Sequence, residues 1–451
     1  MNPLLHDAAL RASRYLEGLD DRPVYPGADA IARLAELEQP VPEHPQAAEA
    51  VLRQLDELGS PATMASAGGR FFGFVVGGAL PASVAANWLA TAWDQNSANS
   101  AGAPATAAFE LVALRWLREL LDLPRDAAGA FVSGTTMGNL CALAAARHAV
   151  LERAGWDVEA DGLFGAPPVT VVVGDEAHPT LFKALGVLGL GRNRVVTVPV
   201  DGQGRMRAEC LPRLTGPSIV CVQAGNVNTG AFDPFAALCE QAHRDGAWVH
   251  VDGAFGLWAQ AAPALRHLCA GLNQADSWAT DAHKWLNVPY DNGLAFVRDA
   301  NALRAAMSVT AAYLPVPDGA WTASDFTPEL SRRARGVDVW AALSALGRSG
   351  VAALVERCCA HAQAFAQGLR GAGFEVLNEV VLNQVLVRFG DVQTTRAVIE
   401  ALQADGTCWC GLTQWQGHAA MRISVSSWAT TDADVQRCLA AIVRSANRLV
   451  R

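Results

Sequence analysis

Between about residue 105 and residue 300, short apolar runs rich in β-branched residues alternate with stretches of helical pattern. The runs are 130–132, 169–173, 195–198, 219–223, 248–251 and a strand-like Gly293–Val297. The helical stretches include 108–121, 139–151 and 179–188. A strand buried on both faces reads as a continuous apolar run, and two parallel strands need a crossover, usually a helix, between them. The alternation therefore predicts an α/β unit with a mostly parallel sheet covered on both faces.

The flanks read differently. Residues 1–65 carry helical patterns at 4–16, 30–37 and 47–58, separated by Pro23, Pro26, Pro40, Pro42 and Pro45. An arm this small cannot bury its own apolar stripe, so it is expected to pack on the main body or on a second subunit. Beyond about residue 330 a long helix is expected over 337–369, tolerating Gly347 and Gly350, followed by strands at 374–377, 385–389 and 421–425. Helices at 394–404 and Asp432–Leu449 complete this part, the last with Thr430 or Thr431 as N-cap. Pro315, Pro317, Asp318-Gly319 and Pro328 mark a linker. The expected division is an N-terminal helical arm (1–65), a large domain (66–310), a linker (311–330) and a small α+β domain (331–451).

Composition narrows the class. Hydrophobic residues make up 51% and charged residues 18%, which excludes a disordered chain. The net charge of −9, without basic blocks, argues against nucleic acid as a partner. The ten cysteines lie mostly in apolar contexts, and Cys408-Trp409-Cys410 and Cys358-Cys359 lack the spacing of a redox or zinc motif. A reduced, cytoplasmic setting is expected. Residues 1–17 mix acids, bases and His and do not read as a signal peptide. The charge-free stretch 71–93 is interrupted by Gly73, Gly77, Gly78, Pro81, Ser83 and Asn87, and reads as a buried loop and a helix rather than a membrane span.

Three clusters at expected strand ends carry chemistry, where ligands sit in open α/β sheets. Ser133-Gly134-Thr135-Thr136-Met137-Gly138-Asn139 follows a strand and opens a helix. Free N–H groups at a helix start, small residues and the Thr135 and Thr136 hydroxyls make a phosphate cradle; a Thr-capped helix is the plainer alternative. In His250-Val251-Asp252-Gly253-Ala254, Asp252 is a ligand-facing carboxylate able to hold a metal, a ribose or a protonated ring nitrogen, or else a loop cap. In Asp281-Ala282-His283-Lys284-Trp285, Lys284 lies between two rings. A desolvated lysine is a nucleophilic amine; a snorkelling side chain is the alternative. A phosphate cradle, a carboxylate and a buried lysine, in that order, are what pyridoxal 5′-phosphate requires.

On these motifs the chain resembles the pyridoxal-phosphate-dependent (group II) amino-acid decarboxylases of the aromatic-L-amino-acid and glutamate type, from about residue 60 to 345 and more weakly to the end. Asp276-Ser277 before Asp281-Ala282-His283-Lys284-Trp285, His250-Val251-Asp252, and Asp175-Glu176-Ala177-His178-Pro179-Thr180 carry the resemblance. So does Ala224-Gly225-Asn226-Val227-Asn228-Thr229-Gly230-Ala231-Phe232-Asp233-Pro234, with Asn226 where relatives have Thr. The resemblance implies an aspartate-aminotransferase-like fold (fold type I) and a homodimer. It implies catalytic roles for Lys284, His178 and Asp252: a Schiff base at Lys284, His178 stacked on the cofactor ring and Asp252 on the ring nitrogen. Ala254 would pack under the ring, and Asn226 would lie beside it. Thr135 and Thr136 would hold the phosphate with help from Asp281 or His283. No metal is implied.

The implied reaction is decarboxylation of an L-amino acid to its amine. Two departures from the family bear on it. The segment that carries a mobile-loop Tyr in the aromatic decarboxylases, 314–330 here, has none, although Tyr313 stands at its edge and Trp321 and Phe326 lie within it. Relatives also often read Glu-Ala at Met137-Gly138. An aminotransferase or an aldehyde-forming, oxidatively deaminating enzyme of the same fold is the alternative, and a non-catalytic cofactor-binding protein is a third reading. Phe72, Phe74 and Trp88 are candidates for a pocket favouring an aromatic side chain, or plain core. Arg422 resembles the carboxylate-binding Arg of aminotransferases.

Overall fold

The computed structural model describes residues 2–309 and 321–449. They divide into two compact units, one of residues 79–360 and 378–384, the other of the remaining described residues. The first unit is built on a seven-stranded sheet: β1 (Ala128–Val132), β2 (Thr170–Gly174), β3 (Val196–Val198), β4 (Ser218–Gln223), β5 (Trp248–Asp252), β6 (Ser277–Asp281) and β7 (Gly293–Val297), in the order β1-β7-β6-β5-β4-β2-β3. β5 pairs in parallel with β4 and β6, and β2 with β4 and β3, while β7 runs antiparallel between β1 and β6. The expected mostly parallel sheet is observed. β6 was not expected as a strand: Asp276-Ser277-Trp278-Ala279-Thr280-Asp281 mixes polar residues into a fully buried strand, because both ends serve hydrogen-bonding sites.

The helix Thr135–Glu152 lies against the sheet, with Cys141 to Ala146 all buried. Its alanines permit close approach. A Cβ on Gly138 would stand 2.8 Å from the Leu294 carbonyl oxygen, so the glycine matches a backbone-to-backbone contact with β7.

The second unit holds a four-stranded sheet of β8 (Glu375–Val376), β9 (Gln384–Arg388), β10 (Gly411–Trp415) and β11 (His418–Ser424), in the order β10-β11-β9-β8. The helix Pro3–Glu17 clusters in this unit, as do the helix Ala48–Ala62 and the closing helix Asp432–Leu449. Thr431 caps that last helix: Asp434 N–H donates to its Oγ1, and its own N–H donates to Asp434 Oδ2.

The unit boundaries differ from the expected division. The arm extends to residue 78 and clusters with the C-terminal segments rather than standing alone, and the division near residue 360 falls inside the helix assigned over Arg335–Gly371. No turn residue marks a boundary that lies within a helix, so sequence punctuation could not place it. Gly347 is not tolerated in that helix: it adopts φ 60° and breaks it into two. Of the expected linker, residues 311–320 and Tyr313 lie outside the described residues. Trp321 and Phe326 do not behave as loop aromatics; they stack at 4.9 Å and pack on the core of the first unit.

Candidate active site

The C-terminal ends of β1, β2, β4, β5 and β6 open on one edge of the sheet, and most of the predicted site residues lie at or just beyond those ends. The pairing of Asp252 with Gln223 and with Ala279 sets β4, β5 and β6 side by side there.

Lys284 and the phosphate cradle meet through Asp281. The Thr135 N–H, in the first turn of its helix, donates to Asp281 Oδ1 at 2.7 Å, and Lys284 Nζ sits 3.1 Å from Asp281 Oδ2. The Asp281 backbone is fixed as well: its N–H donates to the Ala254 carbonyl, and Trp258 Nε1 donates to its own carbonyl. A carboxylate has no proton to give a phosphate, so Asp281 orders the cradle and the lysine rather than binding the anion itself.

The loop after the lysine is closed by Asn292. Its carbonyl accepts the N–H groups of Ala282 and His283, and its N–H donates to His283 Nδ1 at 3.1 Å. Burial lowers the His283 pKa, which leaves the imidazole neutral with its proton on Nε2, toward Asp281 Oδ1 at 3.6 Å. The Tyr290 ring lies against His283 with centroids 4.3 Å apart.

Asp252 is buried at the end of β5. Its Oδ1 accepts from the Ala254 N–H at 3.3 Å and its Oδ2 from Asn139 Nδ2 at 3.2 Å. Asp252 and His178 line one narrow cavity together with Gly174, Ala177, Cys221 and Gln223. His178 also starts a helix: its Nδ1 accepts from the Thr180 N–H and lies 2.7 Å from the Thr180 hydroxyl. In the neutral ring that places the proton on Nε2.

The residues fit a phosphorylated pyridine aldehyde. Thr135 Oγ1 is buried with no hydrogen-bond partner, beside the helix N-terminus, where an anion is favourable. A Cβ at Gly134 would stand 3.3 Å from His283 Cε1 and 3.4 Å from Asp281 Oδ1, so the glycine keeps the cradle open. Lys284 supplies a half-buried primary amine, and Asp252 a buried carboxylate.

Other expected residues are used differently. Asn226 Oδ1 accepts the N–H groups of Asn228 and Thr229, and Nδ2 donates to Glu176 at 3.0 Å, so its amide is engaged in shaping its own turn. Phe72 is core, edge-on to Phe365, whereas Phe74 and Trp88 are exposed. Arg422 lies on β11 in the second unit, its pKa lowered by burial. Asn139 closes the phosphate-cradle motif, but no role was read for it; the available signal was a single amide just before the buried apolar run of its helix.

Comparison with known proteins agrees with this chemistry. The family model described as the pyridoxal-dependent decarboxylase conserved domain matches residues 32–389. Tryptophan decarboxylase 1 of Oryza sativa subsp. japonica is 28% identical over 94% of this chain and 89% of its own. The acidic amino acid decarboxylase of Mus musculus is 31% identical over 60% of this chain and 52% of its own. The solved structure of Oryza sativa TDC with PLP and tryptamine superposes with a TM-score of 0.92 at 24% identity, covering 99% of this chain and 98% of that one.

Proposed function

The chain belongs to the pyridoxal-dependent decarboxylase family, and on that premise we propose that it removes the α-carboxylate of an aromatic L-amino acid as CO₂, leaving the amine. The observation that carries the reading is the knot of Thr135, Asp281 and Lys284, which joins an anion cradle to a primary amine within one hydrogen-bonded unit. The aromatic substrate is supported by the relative named as a tryptophan decarboxylase.

When bound, pyridoxal 5′-phosphate supplies an aldehyde that condenses with amines and a ring that takes up the electron pair freed when a bond at Cα breaks. Thr135 Oγ1, the Thr136 hydroxyl and the Thr136 N–H would hold the phosphate, the Thr135 N–H being taken by Asp281 and those of Met137 and Gly138 by the Gly134 carbonyl. Lys284 would be the amine that holds the cofactor's aldehyde, and Asp281 beside it keeps its Nζ in place as a group able to carry a proton. Asp252 would hold the ring nitrogen with lone pairs that Ala254 and Asn139 leave open, and its carboxylate would favour the protonated ring. His178, which lines the same cavity as Asp252, would hold the ring's face, its Nδ1 being taken by Thr180. The reaction releases one CO₂ and returns one proton to Cα.

We further propose a homodimer in a reducing, cytoplasmic setting. All ten cysteines are free, which supports that compartment. Light scattering should give twice the 47.5 kDa chain mass. The activity test incubates the cofactor-loaded protein with each common amino acid and scores CO₂, amine, aldehyde and oxo-acid together. Amine and CO₂ in equal amounts from tryptophan, tyrosine or phenylalanine is the expected result. Turnover only of glutamate or aspartate would overturn the aromatic assignment, and aldehyde or oxo-acid as the main product would overturn decarboxylation.

A further inference from the structure

Behind Asp252 runs a line of buried hydrogen bonds in which only the carboxylate itself has been given a role. Trp248 Nε1 donates to Ser277 Oγ at 2.8 Å, and Ser277 Oγ meets His250 Nδ1 at 3.0 Å. His250 Nε2 meets Asn139 Oδ1 at 3.0 Å, and Asn139 Nδ2 donates to Asp252 Oδ2 at 3.2 Å. Ser277, His250 and Asn139 are each 0% exposed. Three elements assemble the line. Trp248, His250 and Asp252 are alternate residues on one face of β5, Ser277 begins β6, and Asn139 comes from the second turn of the helix Thr135–Glu152.

Proton counting gives the line one direction. Burial pushes His250 down to about 3, so its ring is neutral and carries a single proton. Ser277 Oγ takes the Trp248 N–H and turns its own hydrogen to Nδ1, which places the imidazole proton on Nε2. That proton goes to Asn139 Oδ1, and the amide can then present only its Nδ2 to Asp252. The reversed line would set Asn139 Oδ1 against a carboxylate oxygen, two acceptors with no hydrogen between them unless Asp252 were protonated. Buried polar groups cost free energy unless satisfied, and here each step satisfies the next.

We propose that Ser277, His250 and Asn139 are positioning residues that hold Asp252 as an acceptor on both oxygens and thereby set the protonation of a ring nitrogen placed against it. This rests on the reading of Asp252 given above. It goes beyond that reading by assigning the control of the carboxylate to three residues that touch neither substrate nor cofactor.

The test uses the holoenzyme loaded with pyridoxal phosphate carrying ¹⁵N in the ring, read by NMR, with kcat and KM measured in parallel. Asn139→Leu and His250→Leu should move the ring-nitrogen signal toward the unprotonated position. They should lower kcat about ten- to a hundredfold, the range expected for losing a hydrogen bond to a charged group, with KM changed far less. His250→Gln, which keeps an N–H to offer Asn139, should restore most of the signal and of kcat. Pure packing would make Gln no better than Leu. An unmoved signal in both Leu variants, or His250→Gln as impaired as His250→Leu, overturns the proposal. If Asn139→Leu does not fold, the His250 pair decides alone. Wild-type protein that takes up the cofactor and decarboxylates while the variants leave the signal unmoved removes only this inference. Wild-type protein that takes up no cofactor removes the parent reading as well.

Discussion

Among the described residues Lys284 has one ion-pair partner, Asp281, whose other oxygen takes the Thr135 N–H. Lys284→Ala should therefore abolish the yellow absorbance of the cofactor-loaded protein and its turnover, and should also lower the melting temperature, since it leaves the almost fully buried Asp281 carboxylate without its cation. Borohydride reduction followed by peptide mapping of the wild type should locate the cofactor on that lysine. Much of the site was legible in the sequence at this scale. Lys284, Asp252, Thr135 and His178 each sit next to an apolar run, and residue type with position conveys their chemistry. What was not legible depends on pairing between distant segments. Asn139 reads as one amide in an alanine-rich helix, and only the approach of that helix to β5 gives it Asp252 and His250 as partners. Asn226 erred the other way, since its local turn claims an amide that motif position had assigned to the cofactor.

At the scale of elements, close contacts carry the predictions. A Cβ at Gly293, the first residue of β7, would stand 2.4 Å from Gly134 Cα, backbone against backbone. Gly293→Ala should cost about 1–3 kcal/mol and weaken cofactor uptake, because the strand start and the cradle must part; urea melts and a cofactor titration check this. The helix Pro81–Trp93 is joined to the start of the helix at Arg335 by Asp338, whose carbonyl accepts from Ser83 Oγ and whose Oδ2 accepts from Asn87 at 2.9 Å and Arg333 at 3.2 Å. Its Oδ1 is buried without a partner, and burial pushes the pKa up to about 6. The folded state thus binds the proton more tightly than the unfolded chain, whose Asp titrates near 4. This contribution is complete below about pH 4 and is lost as pH rises through about 6, a change of about 2–3 kcal/mol at most. Asp338→Asn should flatten that part of the stability curve, measured as denaturation midpoints from pH 4 to 7. Apolar runs announced most strands of the two sheets, but not β6 of the large sheet or β10 of the small one, whose polar residues hide the period.

For the molecule as a whole, the sequence order conveyed an α/β layer with flanking helices, and the sheet order bears that out. The grouping of distant segments into units was not legible, because it is decided by contacts between the two ends of the chain. Within the first unit, Glu110 and Arg332 are joined at 3.2 Å, both almost fully buried, and Arg332 also donates to the carbonyls of Ser97 and Phe131. Burial raises the Glu110 pKa in spite of the arginine. Glu110→Leu should leave a buried guanidinium unpaired and destabilise the protein by about 3–5 kcal/mol, whereas Glu110→Leu with Arg332→Met should recover a large part of that loss in the same denaturation assay.

β7 runs against its neighbours, and Asp281 on β6 stands opposite Gly293 on β7. The chain that bears the reactive amine therefore leaves the sheet and re-enters it at the same rim, like a span moored on two adjacent piers. The amine's place is settled only when the second pier is built, so a nascent chain that ends before Gly293 carries the lysine without the anchorage that makes it useful.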